Sequence, residues 1–196
     1  IIFINDRERT LETLKKDYLL SGIKVIDAAS FIAGPSAATI MSDYGAEVIK
    51  IEPQNGDSLR NLITNGRMPE GPENYCWELT SRNKKSVSLN LKDEKAHKIL
   101  IDLIKEADVF ITNMPFPIRK KLKITSEDIR PHNSKLIYAS LTGYGEVGPD
   151  ADRTAYDSVA WWARSGLMDF VRPSNNSPVA WSTPGMGDHP TGMALY

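Results

Sequence analysis

Lys24-Val-Ile-Asp-Ala-Ala29, Gly34-Pro35, Ser36-Ala-Ala-Thr-Ile-Met-Ser-Asp-Tyr44 and Glu47-Val-Ile-Lys-Ile-Glu52 form the stretch on which the fold turns. The first and last segments are short apolar runs, as expected of strands buried on both faces. Gly34-Pro35 stops the first strand. Ser36 to Tyr44 has helical composition, with Ser36 offering an N-cap and Gly45 a C′ residue. Strand, helix and strand in so short a span predict two parallel strands joined by a crossover helix.

The pattern repeats down the chain. Ser86-Val-Ser-Leu-Asn-Leu91 alternates polar and apolar residues. Between Lys92 and Ala107, the residues Ala96, Ile99, Leu100, Leu103, Ile104 and Ala107 form one helical stripe. Asp108-Val-Phe-Ile-Thr112 and Leu136-Ile-Tyr-Ala-Ser-Leu141 read as strands. Thr125 or Ser126 can cap a short helix ended by Pro131, and Tyr156 to Met168, with Trp161-Trp162, has helical composition. The fold class is therefore α/β: a Rossmann-like, doubly wound, mostly parallel sheet. Such sheets bind ligands beyond the carboxyl ends of their strands, which nominates Ser30–Pro35, Pro53–Arg60, Asn113–Pro117 and Thr142–Pro149. The Pro-, Gly-, Asn- and Asp-rich stretch from Pro53 to Tyr75 reads as a long loop. Residues 184–196 begin a helix that has hardly started where the sequence stops, so a fragment of a longer chain is expected.

Composition narrows the function. The 196 residues are 41% hydrophobic and 25% charged, with 24 Lys+Arg against 25 Asp+Glu. A formal net charge of −1 gives no electrostatic basis for nucleic-acid binding. No run approaches the roughly 20 apolar residues that cross a bilayer. One cysteine, Cys76, fits a reducing cytoplasmic setting and forms no multi-Cys zinc site. His97, His132 and His189 lack metal-ligand spacing, so no metal is expected.

Gly143-Tyr-Gly145 and Gly148-Pro149 form a turn pattern, but no dinucleotide fingerprint opens a helix. Asp188, in Gly187-Asp188-His189 at a loop-to-helix junction, has two readings. It can cap the helix, or serve as a carboxylate nucleophile near free N–H groups. Capping is the simpler of the two on spacing alone. Asp57 and Asp157 invite the same capping explanation. The basic run Arg119-Lys-Lys-Leu-Lys123 reads as a solvated helix face or a phosphate contact.

Taken in order, several pieces resemble the class III CoA-transferases, a family that includes formyl-CoA and carnitine CoA-transferases and the α-methylacyl-CoA racemases. The pieces are Gly22–Asp27, Ala33-Gly-Pro35, Asp43–Pro53, Gly56-Asp57, Asn83–Ser86, Ala107–Asn113, Gly143-Tyr-Gly145 and Gly187-Asp188. The resemblance implies a CoA-transferase large domain over 22–196, incomplete at its C-terminus, after an N-terminal extension at 1–21. It implies coenzyme A or acyl-CoA and carboxylic acids as substrates, and an interlocked homodimer for the full-length chain. Asp188 matches the family nucleophile. By the same resemblance, CoA contacts fall on Ile32, Ala33, Thr80, Ser81, Arg82, Asn83, Asn113, Met114 and Lys121. Arg119 becomes a candidate for the ADP phosphates, and Tyr156 approaches the acyl end. Racemases carry a His where Tyr156 stands, which favours transfer over racemisation. Formyl-CoA transferases carry a Gln where Ile32 stands. An apolar residue there, together with Trp161-Trp162, fits a bulkier acyl group, such as an aryl or branched 2-hydroxy acid or a steroid acid; the alternative for both tryptophans is a place in the core. A racemase and a non-catalytic acyl-CoA-binding subunit are the alternatives.

Overall fold

The computed structural model describes residues 18–62 and 71–196. Most of the expected N-terminal extension, and the middle of the loop expected after Pro53, lie outside them. Five parallel strands form one sheet in the order β3-β2-β1-β4-β5: β1 (Lys24–Asp27), β2 (Glu47–Glu52), β3 (Lys85–Ser88), β4 (Val109–Thr112) and β5 (Ile137–Ser140). The main helices are α1 (Ala33–Asp43), α2 (Tyr75–Ser81), α3 (Glu94–Lys105), α4 (Phe116–Leu122), α5 (Ser126–Ile129), α6 (Leu167–Phe170) and α7 (Asp188–Leu195).

Side-chain alternation divides the core into two layers. Val25 of β1 and Val109 and Ile111 of β4 face α1, packing with Ala37 and Ala38. Ile26 of β1 and Phe110 of β4 face the opposite way, toward Leu100 and Ile104 of α3 and Ile124 and Ile129 beyond α4. Both faces of the central strands are thus covered, as the apolar runs require. Gly192 of α7 lies so close to α1 that an added Cβ would sit 2.8 Å from the Ala33 carbonyl oxygen.

Several boundaries differ from the sequence reading. Helix α1 begins at Ala33 with Ile32 at the N-cap, four residues before the expected Ser36 cap. Pro35 is tolerated there because first-turn N–H groups have no intrahelical partner to lose. Gly45 follows the C-cap Tyr44 with a φ of +98°, as expected of a C′ residue. The helix expected from Tyr156 to Met168 is broken into a π-helical turn (Ser158–Ala163) and α6, separated by Gly166 at φ +82°. The long loop contains a 3-10 turn (Ser58–Asn61) capped by Asp57. Helix α2 was not anticipated, and α4 carries the basic run for which a helix face was one of two readings.

A buried charge network joins β1, β2, β3 and that capped turn. Lys50 is 1% exposed, and its ammonium lies 3.1 Å from Asp57 and 3.7 Å from Asp27. It donates to the Ala29 carbonyl at 2.8 Å. Lys84 donates to Asp27 at 2.8 Å and to the carbonyls of Pro35 and Thr80. Burial lowers the pKa of Lys84 despite the Asp27 carboxylate. Burial also pushes the Glu52 carboxyl up, but hydrogen bonds from Arg60, Ser86 and the Asp57 N–H outweigh that and hold it at about 2. Without Lys50, the buried Asp57 carboxylate loses its ion pair and Asp27 is left with Lys84 alone. Lys50→Met is expected to lower the unfolding free energy by about 3–5 kcal/mol, read from the urea midpoint. An unchanged midpoint would show that the network contributes nothing.

Candidate active-site cleft

The winding direction of the sheet reverses between β1 and β4, because β2 and β3 extend to one side and β5 to the other. A crevice is expected at the carboxyl ends of strands at such a switch point. A cleft of about 390 Å³ opens there. Its walls come from the loops after β1 (Ser30–Ala33), β4 (Asn113–Phe116) and β5 (Leu141–Gly143), from Ala151 and 153–157 with Ala160 and Trp161, and from Gly187, Asp188 and Thr191.

The loop after β1 is held from three directions. Both ends of the Asn113 amide are spent on Ser30: Oδ1 accepts from its N–H at 2.9 Å, and Nδ2 donates to its carbonyl at 2.8 Å. Asp57 accepts from the Phe31 N–H at 3.2 Å, and Lys50 grips the Ala29 carbonyl. Between these anchors Phe31 adopts a φ of +62°. A left-handed conformation costs a bulky residue about 1–2 kcal/mol, which the three anchors offset.

Asp188 is the first residue of α7, with Gly187 at the N-cap, and no side chain caps this helix. The capping role open in the sequence is therefore not the one Asp188 takes. Its carboxylate accepts no hydrogen bond among the described residues. Burial first, and then the neighbouring Asp157 carboxylate, push its pKa up to about 6. Asp157 in turn accepts from the N–H of Gly187 at 3.3 Å and of Ser158 at 2.8 Å, fixing the backbone just before Asp188. A Cβ at Gly187 would stand 2.8 Å from the Cβ of Trp161, so no larger residue fits without displacing the tryptophan. His189 lies beside Asp188, with Nδ1 3.5 Å from the Ser36 hydroxyl.

Ile32, Ala33, Asn113, Met114, Tyr156 and Asp188 all line this cleft. Thr80, Ser81, Arg82, Asn83, Arg119 and Lys121 do not. Thr80 and Ser81 are buried, and Thr80 accepts through its carbonyl from Thr39 and Lys84. Arg82 and Asn83 both reach Asp43 at the end of α1. Lys121 is exposed on α4. Arg119 is not a surface cation. It is 1% exposed, donates to the Met114 carbonyl and the Tyr138 hydroxyl, and pairs with Glu146 at 2.6 Å. It thereby ties the loop after β4 to the glycine-rich turn after β5. Its Nη2 is buried without a partner.

The sequence reading missed Arg153 and the closeness of Asp157 to Asp188. Nothing in local spacing marks either residue, because 31 positions separate Asp157 from Asp188. Among the described residues no group of three or more His, Cys, Asp or Glu side chains is placed to hold a metal ion, and no helix is long and apolar enough to cross a membrane.

Comparison with known proteins gives this cleft its context. The chain is 41% identical over 178 residues to the (R)-2-hydroxy-4-methylpentanoate CoA-transferase of Clostridioides difficile, covering 90% of this chain and 44% of that protein. It is 41% identical over 180 residues to the human succinyl-CoA:glutarate CoA-transferase, covering 90% and 40%. The chain thus spans about two fifths of the length of these curated relatives. Among solved structures, it aligns with Rv3272 from Mycobacterium tuberculosis at a TM-score of 0.80 and 31% identity, covering 91% of this chain and 49% of that one. A CaiB/BaiF family protein from Brucella suis gives a TM-score of 0.77 at 27% identity, covering 91% and 48%. The sequence model of CoA-transferase family III matches residues 20–196, nearly the whole length, and the chain belongs to that family.

Proposed function

We propose that the full-length protein transfers coenzyme A between carboxylic acids, with Asp188 as a covalent relay. The observation that carries this reading is a half-buried carboxylate that accepts no hydrogen bond among the described residues, in the wall of the cleft on a family III fold. A carboxylate that accepts no hydrogen bonds keeps its lone pairs available for attack, and partial burial strips the water that would weaken it.

In the proposed sequence, an Asp188 oxygen attacks the thioester carbonyl of the donor acyl-CoA. The carbon–sulfur bond breaks, CoA leaves as thiolate, and an acyl-aspartyl anhydride remains. The thiolate attacks the aspartyl carbonyl and expels the donor acid as carboxylate, leaving an aspartyl-CoA thioester. An acceptor carboxylate then attacks that thioester, regenerating an anhydride and the thiolate. The thiolate finally takes the new acyl group and frees Asp188. Each step exchanges one activated carboxyl derivative for another, so the thioester energy survives if water is excluded. Tyr156, exposed at the cleft wall, supplies no second imidazole for proton exchange at Cα, which supports transfer over racemisation. Apolar side chains on the cleft walls, among them Ile32, Met114, Phe116 and Trp161, support branched or aromatic acyl groups. Two relatives are named for such acids: the C. difficile enzyme and a cinnamoyl-CoA:phenyllactate CoA-transferase from Clostridium sporogenes.

In the full-length protein, Asp188→Asn is expected to reduce acyl exchange by at least about a thousandfold. CoA should still bind, as measured by calorimetry. Exchange at near wild-type rate would remove Asp188 from the reaction.

The raised pKa gives a second expectation. The nucleophile must be ionised, so kcat/KM should fall about tenfold per pH unit below about 6. For stability the sign is the reverse. The native state holds the Asp188 proton more tightly than the unfolded chain, so stability is lost as pH rises from about 4 to about 6. Allowing for solvent screening, the loss is about 1–2 kcal/mol. Asp188→Asn should therefore be more stable than the wild type at pH 7 and no more stable at pH 4. Parallel stability curves for the two proteins would contradict the burial of this charge.

A further inference from the structure

The charges lining the cleft do not balance. Asp157 and Asp188 are its anionic side chains, and among the described lining residues Arg153 is the sole cation. A carboxylate entering the cleft of the unmodified protein meets these two acidic residues and has one guanidinium to approach.

Arg153 is held in a way that leaves it able to respond. Its Nε lies 3.1 Å from Oδ1 of Asp150, and Oδ2 of the same carboxylate lies 3.2 Å from Nη1 of Arg164. Arg164 also stacks over the Tyr144 ring at 4.9 Å. Two guanidinium groups therefore share one carboxylate, and the cluster retains an excess positive charge. Asp152, the preceding residue, does not line the cleft. The Arg153 side chain is 68% exposed, and its guanidinium makes no other ion pair among the described residues. One edge of the planar group is thus oriented by Asp150 while the remaining N–H groups are open to an oxyanion, the arrangement that suits arginine to carboxylates.

We propose that Arg153 binds the carboxylate of the acid that accepts CoA. The inference rests on the transferase reading above and adds the residue that receives the second substrate. Asp188 is a neutral thioester when the acceptor arrives, so a guanidinium offsets the repulsion from Asp157 and can hold one carboxylate oxygen while the other attacks the aspartyl-CoA thioester carbon. In that attack a carbon–oxygen bond forms, the carbon–sulfur bond breaks, and the electron pair leaves on the thiolate. No proton moves. A phosphate oxygen of CoA presents the same chemistry to Arg153, and the kinetics separate the two sources.

The test uses the full-length protein and an exchange pair that the wild type turns over, drawn from (R)-2-hydroxy-4-methylpentanoate, phenyllactate and glutarate with their CoA thioesters. Arg153→Gln is expected to raise KM for the acceptor acid at least about tenfold, the loss typical of one charge-assisted hydrogen bond. KM for the acyl-CoA donor and the Kd for CoA should stay within about twofold, a split that a general loss of structure would not produce. Arg153→Lys, which keeps the charge and loses the fork, should fall between. A rise in the CoA Kd with acceptor KM unchanged would assign Arg153 to a phosphate and overturn the inference, as would no change in either. Exchange by the wild type with an unaltered acceptor KM in Arg153→Gln sinks this inference alone. Failure of the wild type to exchange any pair sinks the transferase reading with it.

Discussion

The Lys50 ammonium, buried between Asp27 and Asp57, is the contact on which the cleft depends. It lies near the carboxyl end of β2, where it reaches both the end of β1 and the turn after β2, and it grips the Ala29 carbonyl at the mouth of the site. Lys84, from just before β3, joins Asp27 to the first turn of α1 through Pro35. Buried ion pairs contribute little net stability compared with apolar packing, so their effect here is positional. They fix where the loop after β1 runs. With that loop placed, the Asn113 amide locks it to the loop after β4, and Phe31 is held in a backbone conformation it would not adopt alone.

The opposite wall follows a different logic. Asp188 is positioned by close packing, since Gly187 touches Trp161 and Gly192 touches the start of α1. Asp157 binds the Gly187 N–H and lies near enough to Asp188 to disfavour its ionisation. One acidic residue thus both anchors the backbone before Asp188 and keeps the Asp188 charge from being stabilised. Asp188 is thus neither used as a cap nor paired with a cation among the described residues, which is the setting that the proposed chemistry draws on.

Much of this was legible in the sequence, and the reasons for the exceptions are physical. The parallel sheet followed from apolar runs such as Val25-Ile26 and Val48–Ile51, because burial on both faces writes itself into composition. Asp188 and its glycine neighbours were visible as a motif, although local spacing favoured capping until the neighbouring pieces were read together. Arg119 was not legible as a buried residue. It belongs to a basic run, and only the helical register of α4 turns it inward toward Glu146 while Lys120 and Lys121 stay exposed. The left-handed Phe31 was equally hidden, since its strain is sustained by Asp57, Asn113 and Lys50, all distant in sequence. Arg153 resembles any exposed arginine until the cleft around it is drawn.

The measurement that bears most directly on the central claim is covalent trapping. The full-length protein would be incubated with a usable acyl-CoA and quenched with hydroxylamine or borohydride, and its peptides mapped by mass spectrometry. The account predicts modification of the Asp188 side chain that is absent from Asp188→Ala. Exchange between acids with Asp188 unmodified throughout turnover would contradict it.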